Sequence, residues 1–422
     1  MRFGRAAKVP PDRVARSMGG SMETSHPVLH LQELEERLRV AVIGAGYWGP
    51  NLARNFRASP DWELAAICDL DTTRASALAA SIGGARVVGS LDELLDTVEV
   101  DAVAIATPAR THHGVALTAL RADKHVLVEK PLADSLPRGR DMVAEAAARG
   151  LVLMADHTYC YTPAVQKIRD LVRAGELGEI LYVDSVRINL GLVQPDVDVF
   201  WDLAPHDLAI LDYVLPGGLH PAEVSAHGAD PLGTGHDCVG HVTFALPDEA
   251  MAHIHVNWLS PTKIRQMVLG GTERTLVWDD LNPQQRLSVY DRGVQMPTRG
   301  ASRQDRRAAA ISYRLGDTWS PALPEHEALS LMVSEFATSI RQNRPAATSG
   351  ASGLRVLAVL DAVSRSVVDG GGVVSVDDGA FAPPGAPSAQ TAAVGAPGSP
   401  PLASPAAFAA AAGTLPAQEV LR

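Results

Sequence analysis

Cysteine is scarce: three in 422 residues, and Cys68, Cys160 and Cys238 form no Cys-x-x-Cys pair. That spacing excludes a disulfide framework and a thiolate zinc site, so a reducing cytoplasm is the expected compartment. Positive charge is also in deficit. With 37 Lys and Arg against 48 Asp and Glu, the formal net charge of −11 argues against a nucleic-acid surface, which rewards clustered cations. Long apolar runs are missing too, and none approaches the roughly twenty residues of a spanning helix. No internal repeat is visible. What the chain does have is apolar residues, 46% of the total, and a length that allows two domains plus tails.

The two ends differ from the middle. Residues 1–37 are expected to be a disordered or misassigned leader, because Arg2, Arg5, Lys8, Arg13 and Arg16 face a single Asp12 without a convincing apolar stripe. Residues 378–422 are Ala, Pro, Gly and Ser, a composition that cannot recover its ordering entropy by burial, so a disordered tail is expected.

Between them, Val40 to Ile43 form an apolar run without alternation, which suits a strand covered on both faces of a parallel sheet. Gly44, Gly46 and Gly49 follow as Gly-x-Gly-x-x-Gly around Tyr47 and Trp48, and Leu52, Ala53 and Phe56 start a helix. A turn without Cβ atoms lets the backbone close on a pyrophosphate, and the positive end of the new helix stabilises its charge. A second strand, Leu64 to Cys68, ends at Asp69, the position for an acid that holds the adenosine ribose. No arginine stands among Leu70, Asp71 and Thr72 to receive a 2′-phosphate, so NAD is favoured over NADP.

Strand and helix then alternate. Ala102 to Ala106 runs into Thr107-Pro108, and His112 and His113 precede a helix over Val115 to Arg121. Val126 to Val128 leads to Glu129-Lys130-Pro131, and Leu151 to Ala155 is the last strand of this set. By the rule that ligands sit at the carboxyl ends of parallel strands, Thr107, His112 and Glu129 face the cofactor crevice. Strands then dominate: Ile180 to Leu190, Glu223 to Gly228, Val239 to Leu246, Met251 to Leu259, Ile264 to Leu269, Arg274 to Trp278 and Arg286 to Tyr290. The expected fold is therefore α/β: a Rossmann domain over 38–157 and an α/β domain over 158–377 with a largely antiparallel open sheet, closed by helices within 327–369. An open sheet with a half-apolar outer face predicts a homodimer or homotetramer.

For chemistry, Asp202 and His206 stand four apart, close enough to share a helical face. A carboxylate beside an imidazole fixes its tautomer for proton removal and favours the protonated form; an Asp cap with a structural His gives the same spacing. Arg187 with Asn189, and Lys263 with Arg265, share strand faces and could meet a diphosphate, or be solvated edge charge. His241, His253 and His255 lack an acid or thiol pattern, so sheet packing and no metal are expected.

The segments Val-Ala-Val-Ile-Gly-Ala-Gly-Tyr-Trp-Gly, Ala-Ile-Ala-Thr-Pro-Ala at 104–109, His-Val-Leu-Val-Glu-Lys-Pro-Leu at 125–132 and Asp-x-x-x-His at 202–206 together resemble the Gfo/Idh/MocA oxidoreductases over about 38–377. The resemblance implies a nicotinamide cofactor and redox chemistry at a secondary carbinol of a sugar or cyclitol. It maps a catalytic lysine onto Lys130, an acid onto Asp202 and a proton-transferring histidine onto His206. The segment Val-Phe-Trp-Asp-Leu-Ala-Pro-His resembles the branch of nucleotide-sugar 3-dehydrogenases. The implied activity is NAD-dependent oxidation of a sugar hydroxyl, at C3 of a nucleotide sugar. Ketone reduction, polyol oxidation or a non-catalytic dinucleotide-binding regulator are the alternatives.

Overall fold

The computed structural model describes residues 36–191, 193, 197–295, 312–377 and 379. The expectations for the leader and tail fall almost wholly outside these residues. Six strands and five helices alternate from the start: β1 (Leu38–Ile43), α1 (Gly49–Ala58), β2 (Trp62–Cys68), α2 (Thr72–Ser81), β3 (Arg86–Val88), α3 (Leu91–Thr97), β4 (Ala102–Ile105), α4 (Ala109–Arg121), β5 (His125–Glu129), α5 (Leu136–Arg149) and β6 (Leu153–Asp156). They build a parallel sheet in the order β3-β2-β1-β4-β5-β6. All four residues of β4 are buried, as the lack of alternation requires of a strand covered twice. Strand order reverses between β1 and β4, which opens a crevice at their carboxyl ends.

Local signals set the helix limits. Asp71 caps α2 by accepting from the N–H groups of Thr73 and Arg74, Ser90 caps α3, and Gly150 ends α5 in the left-handed region. One boundary differs from expectation. Helix α4 starts at Ala109, so His112 and His113 lie within it; the extended backbone of Pro108 is already its N-cap.

The second half contains α6 (Pro163–Arg173), β7 (Ile180–Leu190), α7 (Val199–Val214), β8 (Glu223–Ala229), β9 (Val239–Ala245), β10 (Met251–Asn257), β11 (Leu259–Gly271), β12 (Thr275–Asp279) and β13 (Leu287–Tyr290). After them come β14 (Gly293–Gln295), β15 (Ser312–Arg314), β16 (Thr318–Trp319), α8 (Ala328–Arg341), α9 (Gly350–Val368) and β17 (Val374–Ser375). Nine of these strands form one sheet, β16-β13-β12-β11-β7-β10-β9-β8-β17, antiparallel except for the β7–β10 pair. The run expected as one strand from Met251 to Leu259 is divided at Trp258, and β11 slips register between Leu259 and Ile264.

On one side of this sheet Val242, Phe244, Ala252, Ile254, Met267 and Leu269 are buried, with α7 and α9 packed nearby. The opposite side is open: Tyr182 and Met251 are exposed there, and His241 and His255 stack with ring centroids 4.2 Å apart. The two closing helices also reach back to the parallel sheet's half. Phe336 of α8 stacks on Trp62 at 5.3 Å, and the Trp62 indole donates to the Val333 carbonyl. Arg341 pairs with Asp61 at 2.7 Å, and α9 packs along α5. No helix among the described residues is long and apolar enough to cross a membrane.

Candidate active site

The glycine turn after β1 is shaped by close approach. Gly44 has φ +101, and a Cβ on it would lie 2.6 Å from the Ala106 carbonyl oxygen; one on Gly49 would meet the Gly44 oxygen at 2.0 Å. At Gly46 a Cβ would meet nothing, so backbone here borders open space. Helix α1 then begins without a side-chain cap, leaving its N-terminal N–H groups for an anion. This uncapped end behind a glycine cradle fits the pyrophosphate of a dinucleotide, and Gly44, Gly46, Tyr47, Trp48 and Gly49 are the residues that would hold it.

Asp69 is nearly buried. One oxygen accepts from Ala45 N at 2.7 Å, and the other accepts from Asp71 N and the Arg74 guanidinium at 2.8 Å each. Burial pushes its carboxyl up, but Arg74 and the two N–H groups outweigh this and hold it below the usual range. A carboxylate has about four acceptor positions, so one remains for a ribose hydroxyl. Arg74 is five residues beyond Asp69, further than the immediate neighbours that favoured NAD, and the structure ties it to the acid itself.

The crevice continues as a cleft of about 690 Å³ between the two halves, lined by Gly46, Thr107, Glu129, Lys130, Tyr159 and His206 among others. Its size is ordinary for a small-molecule site. Lys130 follows the end of β5 and donates from Nζ to Asp202 twice, to the backbone oxygen at 3.0 Å and to Oδ1 at 3.2 Å. Asp202 Oδ2 accepts from the Trp258 indole at 3.1 Å. The Asp202–His206 pairing expected from their spacing does not form. Asp202 and His206 do lie on one helix, α7, but the carboxylate fixes the lysine and not the imidazole. Side chains arriving from β5 and from the end of β10 take both its oxygens.

His206 instead meets Tyr159 edge-on, ring centroids 5.0 Å apart, and its Nδ1 is buried without a hydrogen-bond partner. Burial first, then the Lys130 charge, pulls its pKa well below the ordinary value, so the ring is neutral at neutral pH. The protonated form that a carboxylate neighbour would favour is thus not the one present. A neutral ring is the form a base requires.

The other expected residues divide. Thr107 and Glu129 line the cleft, and Glu129 stands beside Asp156 across the β5–β6 pair. Burial and then Asp156 push its carboxyl well up, towards the neutral acid. His112 is buried outside the cleft lining, its nitrogens 2.8 Å from the Thr107 carbonyl oxygen and 2.9 Å from that of Pro131. It braces the two loops that carry Thr107 and Lys130.

Arg187 is not the exposed cation its strand position suggested. It is buried, gripped through Nε at 2.9 Å and a terminal nitrogen at 3.0 Å by Asp207 of α7, with its guanidinium 4.5 Å from the Tyr159 ring centre. Burial opposes its charge, and the Asp207 carboxylate more than compensates. Removing one partner of such a pair leaves an uncompensated charge, so Asp207→Ala is expected to lower stability by about 3–5 kcal/mol in urea unfolding. A loss below about 1 kcal/mol would mean the pair is not what holds α7 to β7. Asn189, two residues along β7, and Lys263 lie outside the cleft lining; Lys263 faces a separate hollow. Arg265 is the cleft's second cation.

Asp156 and Trp258 belong to the site although no motif in the sequence marks them. Asp156 accepts from the Trp48 indole at 2.8 Å and from the Thr158 hydroxyl, joining the glycine turn to the short helical turn that carries Tyr159. Its place at the end of β6 was the available signal, by the same carboxyl-end rule. Trp258 had none. Among the described residues no cluster of three or more metal-binding side chains occurs.

Known protein families match both halves of the chain. Residues 38–157 match the oxidoreductase family with an NAD-binding Rossmann fold, and residues 165–277 match the GFO/IDH/MocA C-terminal domain. The chain is similar to UDP-N-acetylglucosamine 3-dehydrogenase of Acidithiobacillus ferrooxidans, 30% identical over 325 residues, 76% of this chain and 94% of that one. The solved structure of that enzyme superposes with a TM-score of 0.66 at 27% identity, covering 79% of this chain and 99% of the other. GenD2 from gentamicin A biosynthesis, solved with NAD, gives 0.66 at 26% identity, covering 82% and 97%.

Proposed function

The chain belongs to the Gfo/Idh/MocA oxidoreductases, and from that premise we propose that it oxidises a secondary hydroxyl of a sugar, at C3 of a nucleotide sugar, to the ketone with NAD. The observation that carries this reading is the meeting of Lys130, from the first half, and His206, from the second, in one cleft whose wall is the glycine turn. Bound NAD supplies a hydride acceptor. His206, neutral and partly desolvated, accepts the hydroxyl proton. Lys130 uses two of its contacts on Asp202 and turns its remaining donor capacity to the oxygen on which negative charge grows. Asp202, held by Trp258, keeps the ammonium in place. The 3-position is supported by the Acidithiobacillus relative, whose name places its reaction there.

The compartment and assembly belong to the same reading. Three buried free cysteines fit a reducing cytoplasm. The open face of the nine-stranded sheet, with Tyr182 and Met251 on it, fits cover by a second copy in a homodimer or homotetramer.

A panel of UDP- and dTDP-sugars with NAD, followed at 340 nm, tests the proposal. Reduction of the cofactor by at least one of them is expected, and trapping the product with borodeuteride should place deuterium at C3. Label at another carbon would refute the regiochemistry. A protein that binds NADH yet turns over no sugar would be a sensor.

A further inference from the structure

A second cavity of about 810 Å³ adjoins the cleft, with Thr162 in the wall of both. Its other walls are the loop 280–287 after β12 and the segment 320–328 before α8. The two spaces are also joined through one ion pair. Arg265 lines the cleft, Asp280 lines the neighbouring cavity, and their charged atoms are 3.7 Å apart. That distance exceeds a hydrogen bond, so the guanidinium is neutralised from one side without its donors being consumed. Its carbon also lies 5.9 Å from the centre of the Tyr159 ring, the ring that meets His206. One side chain therefore stands at the boundary between the catalytic groups and a roomy annex.

We propose that this annex receives the nucleoside of the substrate, with Arg265 binding the diphosphate that crosses from one space to the other. The inference rests on the sugar reading above for what occupies the cleft. The chemistry of the walls supports the division. Arg286, exposed on the loop 280–287, offers the annex a second cation, and Gln284 and Gln285 offer amides that suit the edges of a base. Glu325 and Glu327 also face the annex; Glu327 is neutralised by Arg54 at 2.5 Å and Glu325 is exposed, so the diphosphate is held at the Arg265 edge and the uncharged nucleoside is what enters the annex. The cleft, at about 690 Å³, has to hold the nicotinamide as well as the sugar, and its cations are Lys130, committed to the reacting oxygen, and Arg265 at the edge. An anionic substrate thus has a direction, sugar inward and nucleoside outward.

The test is calorimetric titration of UDP and dTDP into the full chain saturated with NADH, so that the dinucleotide site is closed to them. The parent should bind one of them. Arg265→Gln should weaken that binding about 10- to 100-fold, the usual loss for a hydrogen bond to a charged group. Ala322→Trp, which adds bulk to the annex wall at a position outside the cleft lining, should weaken it at least 10-fold while leaving NADH affinity unchanged. Failure of both diphosphates to bind the parent overturns the annex, as does normal binding by Ala322→Trp. The two proposals fail differently: sugars oxidised with no diphosphate binding leaves the dehydrogenase standing and removes the annex, whereas diphosphate binding without turnover does the reverse.

Discussion

His206→Ala is expected to lower kcat by roughly 10²- to 10⁴-fold, the usual cost of losing a positioned acid-base group, while the affinity for NADH stays close to the parent's. The second half of that statement follows from geography: the cofactor's candidate holders are the glycine turn and Asp69, whereas His206 belongs to α7. The pH profile gives an independent check. A histidine whose folded pKa is depressed is neutral above that pKa and loses the base form only as pH falls through it, so the acid limb of kcat/KM should lie below pH 6.5. Because the Lys130 charge is the second-largest cause of the depression, Lys130→Met should move the limb upward as well as slow the reaction. An acid limb at or above 6.5 in the parent, or a His206→Ala variant with parental turnover, would remove His206 from the mechanism.

The second large effect concerns the choice of cofactor. Asp69 and Arg74 form a pair in which the acid is buried and the base is half exposed at the mouth of α2. Asp69→Asn keeps an oxygen for the Ala45 N–H but discharges the site and releases Arg74. A freed guanidinium beside the adenosine ribose would attract a 2′-phosphate that the carboxylate had repelled. A charge-assisted hydrogen bond is worth about 1.5–3 kcal/mol, so the ratio of kcat/KM for NADP to that for NAD should rise about 10- to 100-fold. Steady-state kinetics with both cofactors measures it, and Arg74→Ala in the same background should abolish the gain. If NADP is used no better, or if the gain survives the loss of Arg74, the pair does not govern discrimination.

Both expectations draw on residues that differed in how visible they were beforehand. The glycine turn, Asp69 and Lys130 are legible in the sequence because their roles depend on local grammar: a strand, a turn without Cβ atoms, a helix, and a position at a strand's end. The strand over Ile180 to Leu190 is legible for a similar reason, since alternation reports which residues share a face. It does not report what lies against that face. Alternation places Arg187 on its strand, but only the arrival of Asp207 on α7 decides that its face is the buried one. Asp202 is a parallel case. Helical spacing put it near His206, yet its partners come from positions 72 and 56 residues away, Lys130 and Trp258, and no one-dimensional period encodes that meeting. The annex is less legible still, because its walls are irregular loops whose approach depends on the whole second sheet. Helix α4 begins at Ala109, directly after a proline at its cap, so its first turns precede the apolar spacing that starts at Val115.

The return of α8 to the first half has a consequence for how the enzyme can be divided. Trp62, wholly enclosed, owes part of its shelter to Phe336 and its hydrogen-bond acceptor to Val333, more than 270 residues further along. A fragment cut after β6 would keep every residue expected to hold the adenine end of the cofactor, and would still bare an indole and strand its N–H. The dinucleotide half is therefore an organ of the whole chain, not a cassette that can be lifted out and grafted elsewhere.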